Sequence, residues 1–110
     1  MVNIERRDKV EIINFSVTKI NALITEEIRE EIVSFFEKSN SKVIIDLSGI
    51  EYIDSSGFCC FLSIMKTARH QYGVLKFVSP DPKINDLFNI LHLETVLQIY
   101  PDMDSCLRSF

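Results

Sequence analysis

The sequence predicts an α/β fold in which a mixed β-sheet of four to five strands is covered by about four α-helices. Runs rich in β-branched and apolar residues, typical of strands, alternate with segments whose apolar residues recur every three or four positions, which is typical of helices. This alternation indicates a largely parallel sheet with helices packed over it. Two strand-like runs open the chain with no helix between them, so the sheet also contains one antiparallel hairpin.

The first third of the chain predicts two strands and a helix. Residues 3–7 and 9–17 are expected to form the opening strands. Asn21 is expected to cap a helix that runs to about Lys38, because an Asn side chain can accept a hydrogen bond from a free backbone N–H in the first turn. The helical spacing defines one apolar face, which consists of Ile24, Ile28, Ile32 and Phe35.

The middle of the chain predicts a buried strand followed by a long helix. The run KVIIDL over residues 42–47 is apolar almost throughout, as expected of a strand that is covered on both faces. The run SGIEYI that follows predicts a turn and a short extended piece. A helix is then predicted from Ser55 to Tyr72, and Gly73 is a natural residue to end it.

The last third predicts a strand, a helix, a short strand and a terminal helix. The strand is expected over residues 74–79 and the helix over 81–91, with Pro82 suited to its first turn. The run TVLQIY predicts the short strand. The run DMDSCLRSF predicts the terminal helix, with Asp102 or Asp104 near its positive end.

Length and charge narrow the class of protein. A chain of 110 residues corresponds to one domain, residues 1–110. The net charge of −4 argues against binding to nucleic acid and to an anionic membrane surface, because both depend on cationic side chains. No segment approaches the ~20 apolar residues of a membrane-spanning helix, and the first residues contain no secretory signal. We therefore expect a cytoplasmic protein that does not insert into a membrane.

The cysteines and glycines predict neither a metal site nor a cofactor. Three cysteines, two of them adjacent at Cys59 and Cys60, do not suggest a disulfide framework, so we expect reduced thiols with at least one of this pair buried. Cys59, Cys60 and His70 lack the spacing of metal ligands. With three glycines in all, the chain has no glycine-rich phosphate loop.

One stretch, Asp54-Ser55-Ser56-Gly57, stands out at the joint between a predicted strand and a predicted helix. A helix amino terminus presents unpaired N–H groups and favours anions. The ordinary interpretation is a helix cap, since Ser is a preferred capping residue. Gly57 removes a side chain, so another surface could approach there. A serine-hydrolase elbow is not indicated, because Ile53 occupies the position two before Ser55. The chain is therefore not expected to be an enzyme.

The run VIIDLSGIEYIDSSGF resembles the signature of STAS domains, the family of bacterial anti-sigma factor antagonists and of the cytoplasmic tails of sulfate transporters. The matching positions are Ile45, Asp46, Leu47, Ser48, Gly49, Ile53, Asp54, Ser55, Ser56 and Gly57. YGVLKFVSP looks like the family's next strand, and PKINDLFNILHL looks like the helix that follows it. The resemblance covers nearly the whole chain and implies a STAS-type sheet.

The resemblance implies a phosphorylation-controlled binding module without a cofactor. In anti-sigma factor antagonists the first serine of this stretch accepts a phosphate, and that position is Ser55. The unmodified domain binds an anti-sigma factor that is also a serine kinase, phosphorylation separates the two, and a phosphatase resets the switch. The resemblance and the predicted joint together place the partner-binding surface at Asn21, Asp54, Ser56, Gly57 and Phe58. We expect a monomer or a weak dimer.

The chain departs from the family pattern at several positions near this surface. Phe58 stands where Leu is usual, Cys59 where a second glycine is common, and Asn21 where an Asp is frequent. These changes bear on the identity of the partner and leave Ser55 in place. The alternative function is a non-phosphorylated STAS adaptor or scaffold subunit of a transporter or stressosome-like assembly. A small-molecule sensor ranks third, because the sequence contains no ligand signature.

Overall fold

The computed structural model describes residues 1–110 and confirms the predicted α/β class. The strands are β1 (Val2–Arg7), β2 (Val10–Phe15), β3 (Lys19–Ile20), β4 (Lys42–Asp46), β5 (Tyr52–Ile53), β6 (Val74–Val78) and β7 (Gln98–Tyr100). The helices are α1 (Thr25–Val33), α2 (Ser55–His70), α3 (Pro82–Ile90) and α4 (Met103–Arg108), and two 3₁₀ turns cover Ser34–Phe36 and Leu93–Thr95.

The main sheet has five strands in the order β1-β2-β4-β6-β7. Only β1 and β2 are antiparallel, and every other neighbouring pair is parallel. The hairpin turns at Asp8 and Lys9, which both have positive φ angles of 48° and 70°. Such angles match the twist of a two-residue hairpin turn. The antiparallel pair is thus the predicted hairpin, and it makes the sheet mixed.

Strand β4 lies in the centre of the sheet, hydrogen-bonded to β2 on one side and β6 on the other. Three consecutive residues, Val43, Ile44 and Ile45, are fully buried. A strand covered on both faces has no solvent-exposed side, so its sequence shows a continuous apolar run instead of alternation. This explains the pattern KVIIDL.

Helices α1, α2 and α3 pack on one face of the sheet and enclose the larger core. Four phenylalanine rings connect the helices with the sheet there, with centroids 5.1–6.5 Å apart in successive contacts, and they are Phe58, Phe61, Phe77 and Phe88. Edge-to-face and tilted contacts of this kind add to the burial of each ring. The aromatic cluster holds the start of α2 against α3.

Helix α4 alone covers the opposite face, over a smaller buried cluster of Val10, Ile12, Ile44, Val78 and Cys106. Lys76 is buried beside it, with 5% of its surface exposed. Its Nζ donates to the Ser109 carbonyl at 3.0 Å and to the Ser109 hydroxyl at 2.7 Å, and it lies 4.3 Å from the centre of the Phe110 ring. The end of the chain therefore satisfies a buried cation.

Three predicted boundaries are clearly wrong. Helix α1 ends at Val33 and continues only as a 3₁₀ turn to Phe36, short of the predicted Lys38. Helix α1 begins at Thr25 and not at Asn21, because the Asn21 side chain accepts a hydrogen bond from the Leu23 N–H at 3.0 Å within a preceding turn. The predicted strand TVLQIY shortens to β7, since a left-handed His92 (φ 56°) leads into a 3₁₀ turn first. None of the helices combines the length and apolar character needed to cross a bilayer.

Candidate functional site

A small two-stranded ribbon brings the two halves of the site together. Strand β3 pairs in parallel with β5, with Ile20 opposite Ile53, and the Asp54 N–H donates to the Ile20 carbonyl at 3.1 Å. Because the strands are parallel, the residues that follow each of them lie at the same end. The loop that begins at Asn21 therefore lies next to Asp54 and the start of α2. The sequence did not predict this pairing for β3, since two residues show no periodicity.

Asp54 is the amino-terminal cap of α2. Its Oδ1 accepts hydrogen bonds from the Ser56 hydroxyl and, at 3.2 Å, from the Gly57 N–H. The bond from the Ser56 hydroxyl is the main cause that lowers the pKa of the Asp54 carboxyl, and backbone N–H groups lower it further. The site therefore carries an ionised carboxylate at neutral pH, with its oxygen already engaged by the helix.

Ser55 is the first residue of α2 and is exposed to solvent. Its hydroxyl has no hydrogen-bond partner within the chain, whereas the neighbouring Ser56 hydroxyl is held by Asp54. The free N–H groups of the first turn and the helix dipole favour an anion at this end. The joint thus presents one free hydroxyl where added negative charge suits the fold.

Gly57 is buried, and the space around it is filled from inside the protein. A Cβ atom at this position would lie 2.6 Å from Ile53 Cγ2 and 3.0 Å from Ile20 Cγ2. Separations this short would require the neighbours to move. The missing side chain lets the β3–β5 ribbon pack against α2, which differs from the expected approach of a partner's surface.

Phe58 does not lie on the surface. Its side chain is 5% exposed, and its ring packs edge-to-face on Phe61 and Phe88, with centroids 6.5 Å and 5.2 Å away. It follows Gly57 on the first turn of α2, at a position that points into the larger core. A partner therefore cannot contact the Phe58 ring directly, so this predicted contact is corrected to a core position.

The loop between β3 and α1 contributes a residue that sequence reasoning missed. Asn21 is half-buried, while Leu23 is 92% exposed, an unusual state for a large apolar side chain. Leu23 is an apolar residue that does not belong to the predicted apolar face of α1, and this pattern could have indicated its exposure. Asn21 and Leu23 belong to the same turn, so this turn presents an apolar contact beside Asp54.

A shallow groove between α1 and α2 continues the surface away from Ser55. It has a volume of about 210 Å³ and is lined by Thr25, Glu26, Arg29, Ser56, Cys59, Cys60 and Ser63. A Glu26–Arg29 ion pair, 2.5 Å between oxygen and nitrogen, lies on its rim. The groove is polar, so it would contribute hydrogen bonds and charge to an interface.

The two adjacent cysteines of α2 have different environments. Cys59 is exposed, whereas Cys60 is buried and its Sγ donates to the Thr25 carbonyl at 3.5 Å. Burial raises the pKa of the Cys60 thiol to about 11. The prediction that at least one thiol of this pair is buried is confirmed.

The chain belongs to the STAS domain family, whose family model matches residues 1–106. Several of its relatives are named anti-sigma factor antagonists. The anti-sigma-B factor antagonist of Listeria monocytogenes is 26% identical over 98 residues, which is 89% of this chain and 86% of that protein. A Thermotoga neapolitana relative is 27% identical over 74 residues, which is 67% of this chain but only 66% of that protein.

Solved structures of the family share the fold. An anti-sigma factor antagonist from Mycobacterium paratuberculosis superimposes with a TM-score of 0.87 at 20% identity, covering 99% of this chain and 92% of that one. SpoIIAA has been solved unphosphorylated, with a TM-score of 0.71 at 15% identity over 99% and 96% of the two chains, and as the phosphorylated Bacillus protein. At such identities the likeness defines the fold, and the roles of single residues require the chemistry of this chain.

Proposed function

We propose that the chain is an anti-sigma factor antagonist that works by partner switching. The unmodified domain binds an anti-sigma factor, a kinase activity of that partner phosphorylates Ser55, and the complex then dissociates. The observation that carries the proposal is the free, exposed Ser55 hydroxyl at the amino terminus of α2, next to an ionised Asp54. The names of the relatives and the existence of SpoIIAA in both phosphorylation states support it.

The charge at the site explains how phosphorylation could act on binding and not on folding. A phosphate adds about −1.5 to −2 charges at neutral pH. The helix end favours that charge, so the domain itself can accommodate it. A docked surface would meet the new charge together with the Asp54 carboxylate. A loss of about 3 kcal/mol in binding free energy would weaken affinity more than a hundredfold.

The proposed partner surface consists of the Asn21–Leu23 turn, Asp54 to Ser56, and the groove between α1 and α2. These elements are contiguous, because the β3–β5 ribbon fixes the turn beside Asp54. Leu23 supplies an apolar anchor surrounded by polar groups, which is the usual composition of an interface centre and its rim. The domain acts in this scheme as a cytoplasmic binding module, and its partner performs the chemistry; a separate phosphatase removes the phosphate.

The proposal is tested with charge variants of Ser55. The wild-type chain first captures the anti-sigma factor from an extract of the source organism. The purified pair is then titrated by calorimetry with Ser55→Glu, Ser55→Ala and the control Ser39→Glu, which adds the same charge at an exposed residue near the amino ends of the strands. Ser55→Glu is expected to lose about a hundredfold in affinity with an almost unchanged Tm. Ser55→Ala and Ser39→Glu should bind like the wild type.

Phosphorylation is measured in the same system. Incubation with ATP and the captured partner should add one phosphate to the wild type and none to Ser55→Ala, as shown by intact mass. If Ser55→Glu binds as tightly as the wild type, Ser55 has no switching role and the proposal fails. The non-phosphorylated adaptor function would then be the better description of this chain.

A further inference from the structure

A second crevice opens outside the carboxyl ends of β6 and β7, and the proposed switching surface does not use it. It has a volume of about 280 Å³. Six of the residues that line it carry the chemistry, and they are Ser79, Asn85, Phe88, Asn89, Glu94 and Ile99. Strands β6 and β7 are parallel neighbours, so the segments that follow them leave the sheet at the same end. The crevice is therefore formed by segments that the sheet brings together.

A buried hydroxyl without a partner lies at this crevice. Ser79 is 1% exposed, and its Oγ has no hydrogen-bond partner. Its backbone is satisfied, because the N–H donates to the Tyr100 carbonyl at 2.9 Å and the carbonyl accepts from Asn85 Nδ2 at 2.8 Å. Buried hydroxyls in folded proteins almost always have a partner. The Ser79 side chain therefore indicates a bound group that supplies one.

The charges of the residues that line the crevice indicate whether the bound group is a cation or an anion. Glu94 is the only charged residue among the lining residues, and no lysine or arginine is present. The Asn89 amide makes no hydrogen bond within the chain, and the Asn85 amide uses only one of its hydrogens. Phe88 and Ile99 provide an apolar wall. An anion would meet a carboxylate here and no cation, whereas a cation with N–H donors would find acceptors.

We propose that this crevice binds a small organic cation that bears an ammonium or guanidinium group. The cation donates a hydrogen bond to Ser79 Oγ, its charge pairs with the Glu94 carboxylate, and its alkyl part lies against Phe88 and Ile99. The volume is at the lower limit of ligand pockets, which span roughly 300–1,000 Å³, so the ligand is small. This site is independent of the switching function at Ser55.

The probe is agmatine, which has a guanidinium at one end and an ammonium at the other, and 1,4-butanediol is the uncharged control. Backbone amide NMR spectra of the full chain are recorded during each titration. His92 Nδ1 lies 4.0 Å from the Glu94 carboxylate, so the resonances of both residues are followed. Agmatine should shift the resonances of Ser79, Asn85 and Glu94, and butanediol should not.

Three variants separate this site from general attraction to an acidic protein. Ser79→Ala and Glu94→Gln should each weaken agmatine binding about tenfold, the usual effect of losing a hydrogen bond or pairing with a charged group. Glu37→Gln, at an exposed residue outside the crevice, should bind agmatine like the wild type. Without ligand, Ser79→Ala should keep or raise the Tm, because it removes an unsatisfied buried hydroxyl.

Several results would overturn the proposal. They are an absence of shifts up to about 10 mM agmatine, where even weak millimolar binding would be visible, equal shifts with butanediol, and equal loss of binding in all three variants. A lowered Tm for Ser79→Ala without ligand would also count against it, since the hydroxyl would then be satisfied within the fold by a structural water. None of these outcomes affects the Ser55 experiment, which has its own partner and readout.

Discussion

At the scale of single residues, the Asp54 carboxylate makes two neighbouring serines differ in hydrogen bonding. Asp54 accepts the Ser56 hydroxyl and the Gly57 N–H, and nothing in the chain accepts the Ser55 hydroxyl. Serine side chains are chemically identical, so only the local geometry distinguishes them. The geometry favours Ser55 as the residue that an enzyme could reach, because the Ser56 hydroxyl would first have to leave Asp54.

Asp54 should make stability depend on acid pH. Its pKa is lowered in the fold, mainly by the Ser56 hydroxyl, relative to about 3.9 in an unfolded chain. A lowered pKa contributes stability that is complete above the unfolded value and is lost as the pH falls through the folded value. Asp54→Asn keeps an acceptor but cannot ionise. Urea unfolding between about pH 5 and pH 2 should therefore show a steeper loss for the wild type than for Asp54→Asn. Parallel curves would contradict this.

Gly57→Ala should destabilise the protein even though alanine favours helices. The helix preference of alanine over glycine is about 1 kcal/mol. The new Cβ would lie 2.6 Å from Ile53 Cγ2, and overpacking of this kind costs about 1–3 kcal/mol. Chemical denaturation measures the net effect. In an Ile53→Ala background the clash is reduced, so the same substitution should cost less or become favourable. A stabilising Gly57→Ala in the wild-type background would contradict the packing.

The sequence predicted the helix start and the exposed serine, but not the direction of the residues after it. Ser55, Gly57 and Phe58 all lie in the first turn of α2, yet Ser55 is exposed and the other two are buried. Which direction is buried depends on where β3 and α3 pack, and those contacts join residues far apart in the chain. Burial of Gly57 and Phe58 was therefore beyond a local pattern.

At the scale of elements, α2 has one face in the core and one in solvent, and its thiols test that orientation. Cys59 is exposed and Cys60 is buried with a pKa raised to about 11, while burial in the second cluster raises the pKa of Cys106 to a similar value. Because the thiolate is the reactive form, Cys59 should react with a thiol reagent first. Cys60 and Cys106 should react only on unfolding. Equally rapid reaction of all three thiols would show that α2 is turned differently.

The predictability of each element follows the strength of its local signal. Strand β4 and helix α2 were predicted because a continuous apolar run and a long helical repeat are strong patterns. The β3–β5 ribbon was not, because each strand has two residues and is defined by pairing with a distant segment. The start of α1 was misplaced because Asn21 caps a turn of its own. The exposure of Leu23 was missed for the same two reasons, because its turn follows β3 and is capped by Asn21.

At the scale of the whole molecule, the sheet grows outward from β2 in chain order, since each connecting helix carries the next strand to the free edge. This regularity made the fold class predictable from the alternation of elements. The crevice at Ser79 was not predictable, because it requires the ends of β6 and β7 to be placed beside one side of α3 and the 3₁₀ turn that contains Glu94. Its lining residues contain no motif.

One face of the sheet is covered by α4 alone, and Lys76 is buried there. The contacts of Lys76 should therefore affect the stability of the whole molecule. None of the four ion pairs includes Lys76, whose ammonium relies on Ser109 and on the Phe110 ring. Deleting Ser109 and Phe110 should leave this buried charge unsatisfied and cost about 3 kcal/mol in the free energy of unfolding. In a Lys76→Met background the same deletion should cost about 1 kcal/mol or less. Equal losses in both backgrounds, measured in urea, would show that Ser109 and Phe110 act only through packing.

The hydrogen bond between Ser56 and Asp54 has a consequence for the number of phosphorylation states that one molecule can adopt. In the proposed function, the free Ser55 hydroxyl and the engaged Ser56 hydroxyl give each copy of the domain one position for a phosphate, and therefore two states, phosphorylated or unphosphorylated. A graded signal in the cell could not then correspond to several phosphates on the same copy. It would correspond to the fraction of copies in the population that carry a phosphate.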